Sequence, residues 1–380
     1  MNQPFQIDHQ SLTLQDIAER CGVSKSTVSR AMVNDPRINA ATRERVLAVA
    51  AEMGYNPSQN AAARRLALRG RGRDLLNHQI ALCIRADMYT INYFSRMFKG
   101  IVDAMAQTDF SLLLMLVAPT DAPTVTFPMA FERGEIDGIL LCADIHIANL
   151  PERLQQHPVL RSCPVVGTTT KEFRNITAVL ADEGQGAYLA TKHLLELGHR
   201  HVIHHLGHAE QENYQKRLAG VYRAYAEMKL DAGAYLHLMP FPGEWLDPHD
   251  LFSDNPFAES TSEARRFIAH LLGYLQDHPE ITALLPLNDA IAIRLWRVLQ
   301  RAGYRIPDDY SIIGFDDTDP MPDLAGRNLL TSVHLPLEEI GREAVRLIMH
   351  QIAARQKEQV EVVLPTELIL RRSTGSARAQ

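Results

Sequence analysis

The chain has 380 residues with a formal net charge of −6 at pH 7, and 46% of its residues are hydrophobic. This length excludes a single small module and indicates about two to three domains, with enough apolar material for a large core. Residues 1–75 hold eleven basic and seven acidic side chains although the whole chain is acidic, which fits a nucleic-acid contact at the N-terminal end only.

Residues 13–34 predict two short helices joined by a tight turn. Apolar side chains recur at helical spacing over Leu14–Cys21, and Gly22 can take the left-handed conformation that ends a helix. Ser24 can cap a second helix that runs to Met32. Its outward positions carry short polar and basic side chains that suit a major-groove reader, namely Lys25, Ser26, Ser29 and Arg30. The alternative is an ordinary helical hairpin with a solvated charged face.

The run from Thr13 to Arg43 resembles the DNA-binding headpiece of the lactose-repressor (LacI/GalR-type) family. The resemblance rests on the opening T-L-x-D-I-A, the helix V-S-x-x-T-V-S-R and the later T-R-E-R-V. A third helix, capped by Asn39, closes a small core with Val46, Leu47, Ala50 and Met53. The resemblance implies contacts to phosphates and bases of DNA from Thr13, Ser24, Lys25, Ser26, Ser29, Arg30, Asn39, Thr42 and Tyr55. Arg30 is suited to guanine.

Residues 58–78 follow this headpiece, whose predicted bounds are 11–57, and contain five arginines between Pro57 and Arg73 without an acidic residue. In the family this segment is a hinge helix that orders in the minor groove and inserts a leucine between base pairs. The resemblance assigns DNA contacts here to Asn60, Ala63, Arg64 and Leu66. The distance from Pro57 to Ala63 is two residues longer than usual in the family, which leaves open whether Leu66 or Leu68 is inserted. A disordered basic linker is the alternative for the protein without DNA.

From Gln79 onwards, short apolar runs alternate with amphipathic helices, which predicts an α/β fold with parallel sheets. Two such series indicate two doubly wound subdomains with a ligand cleft at the carboxyl ends of the strands. This order resembles the periplasmic-binding-protein-like core of the same family. The expected bounds are 79–180 with 335–364 for the first subdomain, 181–334 with 365–371 for the second, and 372–380 for a tail.

The same resemblance implies a small-molecule effector, a sugar or a nucleoside-like compound, held by charged, amide and aromatic side chains. Arg217, Asn288 and Asp316 match the effector-contacting positions of the family. Trp245 falls where an aromatic residue often lies against the ligand. Three further candidates are Tyr93, Phe94 and Asp144. For Tyr93 and Phe94 the competing interpretation is packing in the core.

A dense group of histidines at positions 199, 201, 204, 205 and 208 suggests a metal site. Alternation along a strand sends His204 and His205 to opposite faces, and a metal needs three or four convergent ligands. We therefore expect ordinary strand or surface histidines, no metal and no cofactor. Neighbouring Asp316 and Asp317 resemble a catalytic pair, but adjacent residues at a strand end point apart. No hydrolase triad, phosphate-binding loop or metalloprotease motif is present.

Four cysteines lie far apart without metal-ligand or redox spacing, which predicts buried thiols in a reducing compartment: Cys21, Cys83, Cys142 and Cys163. Residues 1–10 lack the apolar segment of an export signal, and no apolar run approaches membrane-spanning length. We therefore expect a cytoplasmic protein without membrane contact.

Together these features predict a homodimeric repressor that binds a near-palindromic operator in double-stranded DNA and responds to an effector. Two other classes remain as alternatives. One is a free-standing solute-binding protein. The other is a cytosolic sugar-binding or sugar-metabolising protein with a DNA-binding appendage.

Overall fold

A computed structural model describes the chain at residues 13–32, 35–53, 55, 76–85, 92–117, 129–132, 135–142, 163–168, 176–206, 212–240, 262–355 and 359–378. The chain divides into two compact units, one of Met1–Asn77 with Phe127–Glu135 and one of His78–Thr126 with Ile136–Gln380. The first unit contains a headpiece of three helices and the second contains two β-sheets.

The headpiece consists of α1 (Leu14–Cys21), α2 (Lys25–Met32) and α3 (Ala40–Glu52). Each helix begins after a polar residue whose side-chain oxygen accepts a hydrogen bond from an amide of the first turn, namely Thr13, Ser24 and Asn39. Such caps satisfy amides that have no partner within the helix. Gly22, at φ +62°, ends α1 in the left-handed conformation. The predicted helix-turn-helix is therefore confirmed.

All three helices contribute to a small core made of Ile17, Ala18, Cys21, Val28, Ala31, Val46, Ala50 and Tyr55. The prediction that Leu47 belongs to this core is wrong, because Leu47 is 45% exposed. One residue along a helix turns the side chain by about 100°, so Leu47 points away from the face on which Val46 and Ala50 are buried. Met53 packs at the edge of the core.

The described residues of the second unit form twelve strands. In chain order they are β1 (Gln79–Arg85), β2 (Ser111–Val117), β3 (Gly138–Cys142), β4 (Val165–Thr168), β5 (Thr177–Ala181), β6 (His201–Leu206), β7 (Leu236–Pro240), β8 (Ile281–Leu285), β9 (Ser311–Asp316), β10 (Thr331–His334), β11 (Glu361–Leu364) and β12 (Glu367–Ile369). The remaining described helices are α4 (Asn92–Met105), α5 (Met129–Glu132, in the first unit), α6 (Glu183–Glu196), α7 (Glu212–Glu227), α8 (Ala232–Tyr235), α9 (Ser262–Asp277), α10 (Asp289–Arg301) and α11 (Leu337–Ala354).

The strands form two six-stranded sheets, ordered β11-β5-β4-β3-β1-β2 and β12-β10-β9-β8-β6-β7. Among the described pairs, only β10 with β12 is antiparallel. Every residue of β3, β5, β8 and β9 is buried, as expected for parallel strands whose two faces are covered by helices. The predicted α/β core of two doubly wound sheets is therefore confirmed.

The chain passes between the two sheets three times. It leaves the first sheet after β5, returns through α11 to β11, and crosses again to β12. The loop after β9 in the second sheet contacts α4, which follows β1 of the first sheet, because the Asn92 side-chain amide donates to Asp319 Oδ1 at 2.6 Å. The carboxyl ends of β1 and β9 therefore face a common region.

The four cysteines are buried thiols, as predicted. Burial in an apolar environment raises the pKa of the Cys83 thiol well above its usual value, since the thiolate loses its hydration. Within the described ranges we find no helix with both the length and the apolar character needed to span a bilayer.

Two glycines allow α4 and α11 to cross at close range. A Cβ atom on Gly341 would overlap the carbonyl oxygen of Met97, and one on Gly100 would overlap that of Glu338. Both obstacles are backbone atoms, which cannot rotate away as a side chain can. The helix crossing therefore requires glycine at both positions.

We predict that Gly341→Ala lowers the free energy of unfolding by roughly 1–3 kcal/mol, the usual cost of forcing extra atoms into a packed interior. Urea denaturation of the full chain measures this change. Gly273→Ala is the matched control, because a Cβ there meets no described atom within 4 Å and alanine favours helix. Equal losses in both variants would contradict the proposed close contact.

Candidate functional sites

The outward face of α2 carries the residues that sequence reasoning assigned to DNA bases. Lys25, Ser26 and Arg30 are exposed and Ser29 is half-buried, while Val28 and Ala31 on the opposite face are buried in the headpiece core. Ser24 Oγ lies 2.8 Å from the hydroxyl of Ser26. The start of α2 therefore presents a lysine and neighbouring hydroxyls to solvent, and Arg30 extends the same surface.

The residues assigned to phosphates lie at helix N-termini. Thr13 and Asn39 are exposed N-cap residues of α1 and α3, and Thr42, in the first turn of α3, is half-buried. Helix N-termini carry partial positive charge and amides that lack intrahelical partners, so they attract phosphates. The positions of Thr13, Asn39 and Thr42 therefore allow the predicted contacts with DNA phosphates.

Tyr55 is different, because its side chain is only 7% exposed and belongs to the headpiece core. A tyrosine in this position supports the packing of the three helices, and the structure therefore does not present it as an exposed DNA-contacting side chain. The four hinge candidates Asn60, Ala63, Arg64 and Leu66, together with Leu68, lie outside the described residues.

In the second unit, Arg217 on α7 is the centre of a buried polar group. Its Nε donates to Glu183 Oε2 at 2.5 Å, and its Nη1 donates to the carbonyl oxygen of Leu287 at 2.5 Å. The guanidinium lies over the ring of Phe315, 3.6 Å from its centroid, a cation–π arrangement. These contacts fix the side chain of Arg217 in one orientation.

Asp316 faces Arg217 from the carboxyl end of β9. Its Oδ1 is 3.7 Å from Arg217 Nη2, beyond hydrogen-bond range, and no described group donates to this buried oxygen. Asp316 has φ +93°, a conformation that aspartate and asparagine tolerate better than most residues. Burial raises the pKa of Asp316 well above its usual value, although the charge of Arg217 opposes the shift. A buried acceptor without a donor is a candidate position for a ligand hydroxyl.

The ionisable groups around Arg217 are mainly carboxyl groups. Burial lowers the pKa of Arg217, but the charges of Glu183 and Asp316 outweigh this effect and the net pKa is raised, with Tyr93 adding to the rise. Asp289 and Asp319 also act on Asp316 and raise its pKa. The guanidinium therefore faces two carboxyl groups, those of Glu183 and Asp316, and two more lie near Asp316.

Asn288 and Asp289 lie at the start of α10, directly after β8. Asn288 Oδ1 caps the helix by accepting from the amide of Ile291 at 3.0 Å. Asp289 accepts from the hydroxyl of Ser332 and from the amide of Thr318, and burial raises its pKa to about 7. Sequence reasoning did not single out Asp289, whose contacts hold the loop that follows Asp316.

The two aromatic candidates on α4 have different positions. Tyr93 is half-buried and lies near enough to Arg217 to affect the pKa of the guanidinium. Phe94 is 4% exposed and belongs to the hydrophobic core around the first sheet, so the structure favours core packing for Phe94. Asp144 and Trp245 lie outside the described residues. Tyr93, Arg217, Asn288 and Asp316 together are called the candidate ligand site below.

His204 in β6 lies near Arg217, whose charge acts on it. The sequence analysis treated it as an ordinary strand residue. It is 2% exposed, and its ring stacks on Tyr214 with centroids 5.8 Å apart. Burial, together with the charge of Arg217, lowers its pKa to about 4. His204 is therefore neutral at pH 7. With Nδ1–H donating to the carbonyl of Leu285, Nε2 is a buried acceptor without a donor among the described groups.

Comparisons with known proteins agree with this arrangement. Residues 13–58 match the family model of bacterial regulatory proteins, lacI family, and residues 191–374 match that of the periplasmic binding protein-like domain. The chain is 27% identical over 363 residues to the HTH-type transcriptional repressor PurR of Photobacterium profundum, covering 95% of this chain and 98% of that protein. It is 26% identical to the HTH-type transcriptional regulator DegA of Bacillus subtilis, covering 96% of this chain and 98% of the relative.

Among solved structures, a LacI family transcriptional regulator from Enterococcus faecium with bound ribose is 25% identical, with a TM-score of 0.61, covering 79% of this chain and 100% of that one. The relatives are transcription regulators and not enzymes. The two family models together match more than half of the residues, including the whole helix-turn-helix and all six described strands of the second sheet. The chain belongs to the LacI family of bacterial transcriptional regulators, DNA-binding proteins without enzymatic activity.

Proposed function

We propose that the chain is a homodimeric repressor whose operator affinity is set by a neutral polyhydroxyl effector bound at the candidate ligand site. The observation that carries the proposal is the buried Asp316 Oδ1, which has no donor among the described groups. An effector hydroxyl that donates to this oxygen would satisfy it and would form a charge-assisted hydrogen bond. The ribose bound to the Enterococcus faecium relative supports a sugar or a nucleoside-like compound.

The charges around Arg217 narrow the class of effector. Glu183 already forms a close ion pair with the guanidinium, and Asp316, Asp289 and Asp319 add further carboxyl groups nearby. A phosphate or carboxylate on the ligand would bring further negative charge to a group of carboxyls in which the charge of Arg217 is already paired with Glu183. We therefore infer that sugars and nucleosides bind better than their phosphate esters.

The DNA contacts follow from the headpiece surface. Lys25, Ser26 and Arg30 would read base edges, while Thr13 and Asn39 would contact phosphates through the helix N-termini. A hinge over residues 58–78 would enter the minor groove, with Leu66 or Leu68 inserted between base pairs. A dimer with two-fold symmetry would bind a near-palindromic operator.

The first sheet offers a surface for dimerisation. Four large apolar side chains on α4 and the edge strand β2 are 38–51% exposed, namely Phe98, Val102, Leu114 and Leu116. A group of exposed apolar residues at a sheet edge is commonly an interface with another chain. We propose that a second copy of this chain covers it.

We also propose the subdomain bounds 79–180 with 335–364 and 181–334 with 365–371, and a cytoplasmic location, where operator DNA is found.

A thermal-shift screen tests this proposal directly. The full chain is heated with neutral sugars, nucleosides and the corresponding phosphate esters, and each compound that raises Tm is added to gel-shift assays with genomic fragments. We expect stabilisation by at least one neutral compound and a change in DNA affinity caused by the same compound. Stabilisation by phosphate esters alone would contradict the charge argument, and a ligand that leaves DNA affinity unchanged would contradict effector control.

We predict that Arg30→Ala removes a base contact of roughly 1–3 kcal/mol and reduces discrimination among operator variants. Thr42→Ala is the comparison, because loss of a phosphate contact weakens all sequences about equally. Binding to a panel of operator variants measures both. If Arg30→Ala kept the preferred site with an unchanged preference ratio, α2 would not be the base-reading helix.

A further inference from the structure

The second sheet brings three metal-binding side chains together at its amino-terminal edge. His201 is the first residue of β6, His237 is the second residue of β7, and Glu280 directly precedes β8. Each offers one ligand atom, and these three atoms lie within 4.8 Å of one another. The residues are far apart in the sequence, and only the parallel pairing of the three strands places them side by side.

The geometry suits a tetrahedral cation. His201 Nδ1 and His237 Nε2 face each other at 3.1 Å. Two nitrogen ligands of tetrahedral zinc, each about 2.0–2.1 Å from the metal, are separated by roughly 3.3 Å. The observed separation differs from that value by only a few tenths of an ångström, so the two imidazoles need move little to admit the ion. The carboxylate of Glu280 lies within 4.8 Å of both nitrogens and would complete the set by a side-chain movement.

The groups around the three ligands also fit a metal site. His237 Nδ1, on the far side of the ring, is 2.9 Å from the hydroxyl of Tyr274, and such a partner orients a ligating imidazole. His278 Nδ1 lies 3.0 Å from Glu280 Oε1, which holds the carboxylate in place. All three ligand residues are half-buried, so a cation can enter from solvent.

We propose that His201, His237 and Glu280 bind a divalent transition-metal cation of the zinc type. Two imidazoles and one carboxylate are ligands that zinc accepts, with a fourth position for water or His278. The sequence analysis predicted no metal because it considered only the histidines of residues 199–208, whose side chains alternate between the two faces of one strand.

The site lies at the edge of the sheet opposite to Asp316. A strand of five to six residues spans roughly 15–20 Å, so the cation and the effector do not share ligands. Bound metal would join β6, β7 and the turn before β8. Its effect is therefore on the stability of the second sheet, and the proposal does not depend on the identity of the effector.

The test uses the full chain, stripped of metal and titrated with zinc sulfate alone in a calorimeter at pH 7.5. We expect one tight site per chain, a rise in Tm with zinc, and visible absorption bands when cobalt replaces zinc. His237→Gln and Glu280→Gln should each weaken binding at least tenfold. Tyr274→Phe, which retains all ligands and removes only the hydroxyl beside His237, should weaken it by about ten- to a hundredfold.

The matched control is His350→Gln, an exposed histidine on α11, which should bind zinc like the unchanged protein. Circular dichroism confirms that each variant is folded, and Tyr274→Phe with Glu280→Gln decides the question if His237→Gln does not fold. Absence of a stoichiometric site in the unchanged protein would overturn the proposal. Undiminished affinity in the folded Glu280→Gln and Tyr274→Phe variants would also overturn it.

Discussion

Asp316→Asn is expected to weaken effector binding by roughly tenfold to a hundredfold, while the effector-free protein keeps its operator affinity. Charged hydrogen bonds contribute about 1.5–3 kcal/mol each, and about 1.4 kcal/mol corresponds to a factor of ten. Asparagine is the better replacement than alanine, because residue 316 has φ +93° and asparagine tolerates positive φ. The variant would remain able to bind DNA but would respond poorly to its signal. Calorimetry with the identified effector and a gel-shift measure the two properties.

Asp317→Asn is the matched control, because the two neighbouring carboxylates point apart as the sequence suggested. Asp317 Oδ1 pairs with Arg371 at 2.7 Å, and its Oδ2 is 3.3 Å from His334 Nδ1. This variant should keep its effector affinity even if it loses stability. Equal weakening in both variants would mean that the loop after β9, and not the carboxylate of Asp316, determines binding.

The raised pKa of Asp316 also predicts the pH dependence of effector binding. A carboxyl group whose pKa is raised by burial holds a proton at pH values where an ordinary aspartate has lost it. Effector hydroxyls donate to the ionised form, so binding must release that proton. Affinity should therefore increase as pH rises from the ordinary aspartate pKa to the raised one. The same titration on Asp316→Asn should lack this increase.

Glu183→Ala is expected to lower the free energy of unfolding by about 3–5 kcal/mol, the cost of leaving one member of a buried ion pair without its partner. Glu183 and Arg217 have side chains only 5% and 11% exposed, and their pair at 2.5 Å is the closest ionic contact of Arg217. Asp316, 3.7 Å away, cannot replace it without moving. Urea denaturation of the full chain measures the loss.

Glu212→Ala provides the comparison, because Glu212 lies on α7 like Arg217 and pairs with Lys216 on the surface. Exposed pairs contribute about 0–1 kcal/mol, so this variant should remain near the stability of the unchanged chain. A loss below about 1 kcal/mol in Glu183→Ala would show that water or Asp316 compensates the guanidinium.

The headpiece was the most predictable part of the fold because its determinants are local. The capping residues Ser24 and Asn39 and the turn at Gly22 each act over a few neighbouring residues, and the structure places all three as expected. Burial was harder to predict. Leu47 is exposed because the helix face is determined by packing against the other helices, which hydrophobicity alone does not specify.

The site residues that sequence reasoning missed depend on contacts between distant segments. Glu183 precedes Arg217 by 34 positions, and nothing near either residue indicates that α6 and α7 bring them together. Asp289 was overlooked because its donors come from the loop after β9 and from β10. The resemblance of the sequence to the family supplied Arg217, Asn288 and Asp316, since these residues lie in its motifs, but it could not supply partners outside those motifs.

The hydrogen bond between Asn92 and Asp319 bears on how strong a signal the protein needs. It joins α4 to the loop after β9 through an exposed pair, and such a bond contributes about 0.5–1.5 kcal/mol. At 1 kcal/mol it changes the ratio of two conformations by only about fivefold. An effector that binds the conformation without this bond ten times more tightly than the conformation with it could therefore reverse a fivefold ratio. A metabolite with only modest selectivity between the two conformations would be enough to switch the protein.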